Sequence, residues 1–324
     1  MTAVQQGQKP LVRVEHLSKF FHLSKKETLK AVDDLSFEVW PKETVGIVGE
    51  SGCGKSTTGK CLVRLYTPTE GHIYYEDQDI FQLNRAQKKE FCKNVQMIFQ
   101  NPYSSLNPRM TVKEVVGEGI KLYGKYTDKE VEERVQALLE KVGLGKEHMP
   151  RFSHEFSGGQ RQRIGIARAL SVNPRFIVCD EPISALDVSI QAQVINLLRN
   201  LQEEMGLTYI FIAHDLSVVK YISDRILVMY LGKLMEEATS EELYARPLHP
   251  YTQVLLSSIP VADPERARKR KEIEVSGEIP SPINPAPGCR FADRCPRAQK
   301  ICHEQTPQLK EVEPGHRVAC HLCG

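Results

Sequence analysis

The chain has 324 residues, of which 41% are hydrophobic, and its 43 Lys and Arg nearly balance 41 Asp and Glu, leaving a formal net charge of +2. That length suits about two domains, and near-neutrality provides no general electrostatic footprint for nucleic acid. No apolar run reaches the roughly 18 to 20 residues that span a bilayer, and the opening MTAVQQGQKP lacks the core of a signal peptide, so the chain is expected to stay in the cytoplasm and to meet a membrane only through a partner.

Val12, Val14 and Leu17 begin an alternating segment and Leu35 to Trp40 gives another, which predicts a β-rich start. Thr44 to Val48 reads as a short apolar strand. It runs directly into Gly49-Glu50-Ser51-Gly52-Cys53-Gly54-Lys55-Ser56-Thr57, which fits G-x-x-x-x-G-K-[ST], and the residues after it, through Leu65, contain no proline and can form a helix. Strand, glycine-rich loop and helix is the context a phosphate-binding P-loop requires. Gly49, Gly52 and Gly54 let the backbone curl so that successive N–H groups, Ser51 among them, and the helix N-terminus face an anion. Lys55 would reach the β- and γ-phosphates of a nucleoside triphosphate, and Ser56, followed by Thr57, would offer a hydroxyl to Mg²⁺.

Gly71 to Tyr75 is a further candidate strand. Between about 101 and 170 the pattern turns helical, with Val131, Val135, Leu138, Leu139 and Val142 at helical spacing. Apolar runs return at Phe176 to Cys179 and Tyr209 to Ala213, as parallel strands read, and Ile190, Val194, Leu197, Leu198, Leu201 and Met205 mark an amphipathic helix between them. Such alternation predicts an α/β fold with right-handed crossovers and a mostly parallel sheet, in which ligands gather at the carboxyl ends of strands. The P-loop, Asp180-Glu181 and His214 all fall at such ends. Ile226 to Tyr230, Gly232 and Lys233 to Glu236 read as a closing hairpin. From Pro247 to Pro287 the chain is proline-rich and carries a basic run at 266–271, expected to be a solvated linker, with a lipid or nucleic-acid contact as the alternative.

The chemistry sharpens at two further segments. Ile177-Val178-Cys179-Asp180-Glu181 is an apolar strand ending in two carboxylates, one suited to the Mg²⁺ shell and the next to polarising a water for in-line attack. Phe156-Ser157-Gly158-Gly159-Gln160-Arg161-Gln162-Arg163 closely resembles the signature of ATP-binding cassette (ABC) proteins, with Phe in place of the usual Leu at its first position. The resemblance implies a P-loop ABC ATPase: a mostly parallel core sheet, an N-terminal antiparallel β-subdomain, a helical subdomain and here a small Cys-rich C-terminal extension. It also implies a head-to-tail dimer with two ATP molecules between subunits, because Ser157, Gly158, Gly159 and Gln160 would meet the nucleotide held by the opposite P-loop. Gln100 resembles the Q-loop glutamine, Ser184-Ala185-Leu186-Asp187 the D-loop, His214 the switch histidine, and Phe21 the aromatic that stacks on adenine. Glu181 and His214 would then serve hydrolysis.

The interval between P-loop and signature leaves no room for the coiled coils of chromosome-organising relatives, and there is a single cassette, which favours a transporter subunit. Arg246-Pro247-Leu248-His249-Pro250-Tyr251-Thr252, Gly277-Glu278-Ile279-Pro280-Ser281-Pro282 and Gly288-Cys289-Arg290-Phe291 are similar to the C-terminal extension of oligopeptide and dipeptide importer ATPases of the Opp, Dpp and App F-type. The expected organisation is a nucleotide-binding domain over 10–245, with a helical subdomain at about 101–170, and the extension over 246–324. The resemblance further implies a heterodimer with a homologous ATPase subunit, two membrane permeases, an extracytoplasmic peptide-binding protein and a place on the cytoplasmic face of the membrane; no nucleic acid is expected. Alternatives are an importer of another solute such as nickel, or a non-transport ABC ATPase acting on nucleic acid.

Cysteine usage is asymmetric: Cys53, Cys61, Cys92 and Cys179 are scattered, whereas Cys289, Cys295, Cys302 and Cys320 follow C-x5-C-x6-C-x17-C with Cys323 close behind. Disulfides are unexpected in a reducing cytoplasm. Four thiolates can hold a [4Fe-4S] cluster, which some ATPases with this extension carry, or tetrahedral zinc; the spacing leaves both open, as well as unligated thiols. A structural role is expected, since a proline-rich tail with little apolar content needs a staple; a redox gate is the alternative.

Overall fold

A computed structural model describes residues 9–259 and 277–323, and the basic run at 266–271 lies outside them. The chain forms two compact units, Met1–Phe81 with Ala213–Gly324, and Gln82–Ile212.

In the first unit, β1 (Val12–His22) and β2 (Thr28–Val39) pair antiparallel. β3 (Thr44–Val48) follows, then α1 (Lys55–Leu62), β4 (Glu70–Tyr75) and β5 (Gln78–Asp79), and the order β2-β1-β4-β5 makes an antiparallel sheet. Val12, Val14, Leu17, Val32, Leu35, Phe37 and Val39 are buried. Val14 and Leu17 cannot share a face by strict alternation, and a register shift between them, with His16 at φ 50°, supplies the extra residue. The P-loop helix is shorter than expected: Arg64 turns left-handed at φ 61°, and the N–H groups of Leu65 and Tyr66 fold back onto Lys60 O.

The second unit opens with α2 (Arg85–Asn94) and β6 (Val95–Ile98), continues through α3 (Pro102–Ser105), α4 (Val112–Tyr123), α5 (Asp128–Lys141) and α6 (Gly158–Leu170), and closes with β7 (Phe176–Asp180), α7 (Val188–Met205) and β8 (Thr208–Ile212). Its strands are parallel in the order β8-β7-β6, and every residue of β7 and β8 is buried, as continuous apolar runs demand. Capping boxes start α2 (Asn84/Gln87), α4 (Thr111/Glu114), α5 (Thr127/Glu130) and α6 (Ser157/Gln160). Gly206 at φ 65° ends α7. Helix α2 gave no sequence signal because Phe91 alone among its residues is buried, so no apolar period exists to be read.

Returning to the first unit, the chain adds α8 (Leu216–Ile222), β9 (Arg225–Tyr230), β10 (Lys233–Thr239), α9 (Ser240–Ala245), α10 (Pro250–Ser257), α11 (Lys300–Glu304), β11 (Lys310–Glu313) and β12 (His316–Val318). Here β3 lies parallel to β9, β9 antiparallel to β10, β10 to β12, and β12 to β11. The expected hairpin is formed by β9 and β10, with β10 running past Glu236 to Thr239 and pairing with β12 on its other side. Glu236 and Glu237 on β10 are buried, and both are paired. Glu236 accepts from Leu248 N (2.7 Å), His249 N (3.1 Å) and His316 Nε2 (2.7 Å), and Glu237 from Arg317 Nη1 (2.8 Å). No helix among the described residues is long and apolar enough to cross a membrane.

Candidate functional site

The P-loop leaves β3 at Gly49 and enters α1 at Lys55. Two glycines there are obligatory: Gly49 (φ 149°) and Gly54 (φ 105°) would each place a Cβ 2.1 Å from a carbonyl oxygen, of Met229 and Ala31 respectively. Thr58 N reaches Gly54 O at 2.9 Å to close the first helical turn, so the preceding N–H groups have no intrahelical acceptor and suit an anion. Lys55, 4% exposed, curls back to donate to Gly49 O (2.8 Å) and Glu50 O (3.0 Å). Its ammonium sits within the loop's curve, where phosphate oxygens can replace those carbonyls. Burial holds the neighbouring Cys53 thiol above its usual range. Ala213 N bonds to Ile47 O (3.3 Å), so the exposed His214 and Gly49 leave their strands side by side. Phe21 is half-buried, edge-on to Tyr66 at 5.6 Å, with Lys19 Nζ 5.1 Å from its ring centre.

The remaining residues expected at the ATP site belong to the second unit. Asp180, 3% exposed, ends β7. Glu181 follows at φ 45°, a conformation costly for a residue with a Cβ. The turn is knit around it: its N–H donates to Ile212 O (2.9 Å), and Ser184 N and Oγ donate to its carbonyl (3.3 and 3.1 Å). Gln100 Nε2 donates to Glu181 Oε2 at 2.6 Å, which orients the carboxylate. Sequence reasoning named both residues but not this bond.

At the signature, Phe156 is buried, 5.5 Å from the His148 ring and with the Arg151 guanidinium 4.5 Å from its own ring centre. An apolar anchor is what the position uses, so Phe serves as Leu would. Ser157 Oγ accepts from Gln160 N (3.3 Å), and Gln160 Oε1 accepts from Ser157 N (3.1 Å); the pair builds the helix start. A Cβ on Gly159 would lie 2.6 Å from Ile190 Cγ2, and one on Gly158 3.5 Å from Leu186 Cδ2, so these glycines rest against Leu186 and the start of α7. Asp187 precedes α7 without a side-chain capping bond.

In the C-terminal segment Cys289 N donates to Cys302 O (2.7 Å), Ala292 N to Cys289 O (3.0 Å) and Cys295 N to Ala292 O (3.2 Å), forming one tight turn. All nine cysteines are free. Burial pushes the Cys289 thiol up to about 11, with Cys302, Cys320 and Cys295 adding to the effect. Burial likewise raises Cys295, aided by Cys320 and Cys302, and takes Cys323 to about 12, aided by Cys320. Cys289 and Cys295 therefore lie within electrostatic reach of Cys302 and Cys320, and Cys323 adjoins Cys320. Among the described residues, however, the one group of metal-binding atoms within 4.8 Å of one another is Glu242, Glu313 and His316. Arg246 already bonds both of those carboxylates, so that trio is an ion-pair network. The thiols stand farther apart than a closed tetrahedral zinc site, with Zn–S of about 2.3 Å, would hold them.

Sequence reading missed what surrounds the P-loop. Tyr251 Oη accepts from Glu50 N (2.9 Å), and Arg294 Nη1 donates to both Glu50 carboxylate oxygens (3.0 and 2.9 Å) and to Tyr230 Oη (3.1 Å). Tyr251 and Phe291 lie in the segments that carried the family resemblance, which was the available signal.

The P-loop, the carboxylate-ended strand and the signature helix define an ABC ATPase. A family model described as "ABC transporter" matches residues 32–184, and one described as "Oligopeptide/dipeptide transporter, C-terminal region" matches 235–302. The chain is 58% identical over 314 residues to the putative oligopeptide transport ATP-binding protein YkfD of Bacillus subtilis, covering 97% of this chain and 95% of that one. It is 54% identical over 329 residues to AppF of the same organism, an oligopeptide transport ATP-binding protein, with 99% of each covered. Among solved structures, the post-hydrolysis dimer of the ATP-binding cassette MJ0796 with ADP and Pi superposes with a TM-score of 0.65 at 28% identity, covering 71% of this chain and 98% of that one. CbiO1 of Clostridium perfringens, part of the ABC transporter complex cbiONQ, gives 0.65 at 26%, covering 74% and 92%. The chain belongs to the family of oligopeptide transport ATP-binding proteins. Full-length similarity to such proteins supports neither the nucleic-acid nor the nickel alternative.

Proposed function

We propose that this chain is the ATP-hydrolysing subunit that powers import of oligopeptides or dipeptides, working as half of a head-to-tail heterodimer with a homologous ATPase. Two membrane permeases and an extracytoplasmic peptide-binding protein complete the assembly, which holds the chain at the cytoplasmic face of the membrane. Residues 10–245 form the nucleotide-binding domain, with 101–170 as the helical part that drives the permeases, and 246–324 form the extension. Similarity along nearly the whole chain to oligopeptide transport ATP-binding proteins supports this reading.

Phe21 stacks on adenine, and the backbone of Gly49, Ser51, Gly52 and Gly54 with Thr57 cradles the phosphates. Ser56, Asp180 and Gln100 are the residues that would hold Mg²⁺, which would supply positive charge to offset that of the phosphates. Glu181, oriented by Gln100, accepts a proton as water attacks the γ-phosphorus; the bond to the β-phosphate oxygen breaks, giving ADP and inorganic phosphate. Lys55 and His214 offset charge that develops on the γ-phosphoryl oxygens. Ser157, Gly158, Gly159 and Gln160 present the N-terminus of α6 to the partner's nucleotide, and Ser184 and Asp187 report across the dimer. Cys289, Cys295, Cys302 and Cys320, with Cys323 in reserve, would hold a [4Fe-4S] cluster, zinc being the alternative.

The Gln100–Glu181 bond carries the catalytic assignment, because it aims a carboxylate at the carboxyl end of β7. Glu181→Gln is expected to bind Mg-ATP normally and lose at least about 10²-fold in turnover. Activity within about tenfold of wild type would remove Glu181 as the base.

A further inference from the structure

Glu50, the second residue of the P-loop, is held at three points. Its N–H donates to Tyr251 Oη, its C=O accepts from Lys55 Nζ, and its carboxylate takes both bonds from Arg294 Nη1. The side chains of Glu50 and Arg294 are 23% and 12% exposed, so solvent and salt screen the pair only weakly. Arg294 is itself fixed. It donates to Tyr230 Oη, and its guanidinium lies 5.9 and 6.0 Å from the ring centres of Tyr230 and Phe291. Those two rings and Tyr251 form a buried trio with centroids 4.6 to 5.4 Å apart. Arg294 also closes the turn between Cys289 and Cys295, its N–H bonded to Phe291 O at 3.1 Å.

We propose that Arg294 is a positioning residue for the nucleotide: from the C-terminal extension it braces the P-loop through Glu50 and neutralises that carboxylate, so Mg-ATP affinity depends on the cysteine-bearing turn. Two effects follow from its loss. The second loop residue is freed, so binding must order it. A carboxylate left without its cation would also stand beside Lys55 and repel the triphosphate. The second effect has a distinguishing sign, because neutralising Glu50 as well relieves it.

The inference rests on reading Gly49 to Thr57 as the ATP site, and the experiment separates the two. Mg-ATP affinity and KM and kcat for hydrolysis are measured on the full chain for wild type, Lys55→Ala, Arg294→Gln, Arg294→Lys, Glu50→Gln and Glu50→Gln/Arg294→Gln, with thermal unfolding as the check on folding. Arg294→Gln is expected to weaken affinity about tenfold through KM, with kcat nearly unchanged. Arg294→Lys should recover part of the loss, and the double variant should bind more tightly than Arg294→Gln. If Arg294→Gln does not fold, the lysine and double variants, which keep the charge or remove both, are compared with wild type and with Glu50→Gln. Affinities within about twofold of wild type throughout, with Lys55→Ala impaired, would overturn the brace alone. Unchanged affinity in Lys55→Ala would overturn the ATP-site assignment and the brace with it.

Discussion

Acid should loosen the first unit through one buried histidine. His249 is 1% exposed, and its Nδ1 accepts from Tyr251 N at 3.0 Å, capping α10, the helix that carries Tyr251 toward the P-loop. Burial pushes its pKa down from 6.5 to about 4, against the pull of the Glu236 carboxylate and a backbone bond to Ala319. The folded state therefore resists a proton that the unfolded chain accepts below about 6.5, so stability falls as pH drops from about 6.5 to about 4 and is independent of this group outside that window. At about 1.4 kcal/mol per pH unit the full cost is roughly 3 kcal/mol, of which about 2 kcal/mol falls between pH 7 and pH 5. Asn at this position keeps a capping oxygen without a titrating group. Urea unfolding, followed by the single tryptophan, Trp40, in wild type and His249→Asn should give curves whose separation shrinks by about 2 kcal/mol on going from pH 7 to pH 5. Equal pH dependence in the two proteins would refute a neutral, buried His249.

Two further outcomes test the metal and the signature. Anaerobically purified protein should contain iron and sulfide near about four of each per chain with a broad visible band, and Ala at Cys289, Cys295, Cys302 or Cys320 should remove them; a colourless protein with one zinc would select the alternative, and no metal would leave the thiols unligated. Gly159→Val places side-chain atoms against Ile190 and, on the proposed role of the signature toward the partner's nucleotide, should cut turnover at least about tenfold while the isolated chain's Mg-ATP affinity stays unchanged. A parallel loss of affinity would count against that trans role.

Local pattern reached as far as local physics does. Strand β3 was legible to the residue because Thr44 to Val48 is a continuous buried run ending at a glycine that only a left-handed turn accommodates. Helices α5 and α7 were legible because Val131, Val135 and Leu139, and Val194, Leu198 and Leu201, recur on one face and are buried there. Helix α2 was silent, its surface being almost wholly polar. The P-loop residues could be named from spacing and context, since a phosphate-binding loop is a contiguous backbone device; Phe21, Gln100 and His214 were named through the family resemblance.

Sequence by itself thus determined the class of the fold, the P-loop, the paired carboxylates of β7 and the family. Tertiary structure decided what distant residues do to one another. Glu236, read from sequence only as the end of a hairpin strand, is buried, and the backbone N–H groups of Leu248 and His249 and the ring of His316 satisfy it. Arg294, which no sequence motif singled out, meets Glu50 of the P-loop across 244 positions of sequence. A charge is stable in such places only when its partner arrives by folding, and no window along the chain contains both halves of the pair.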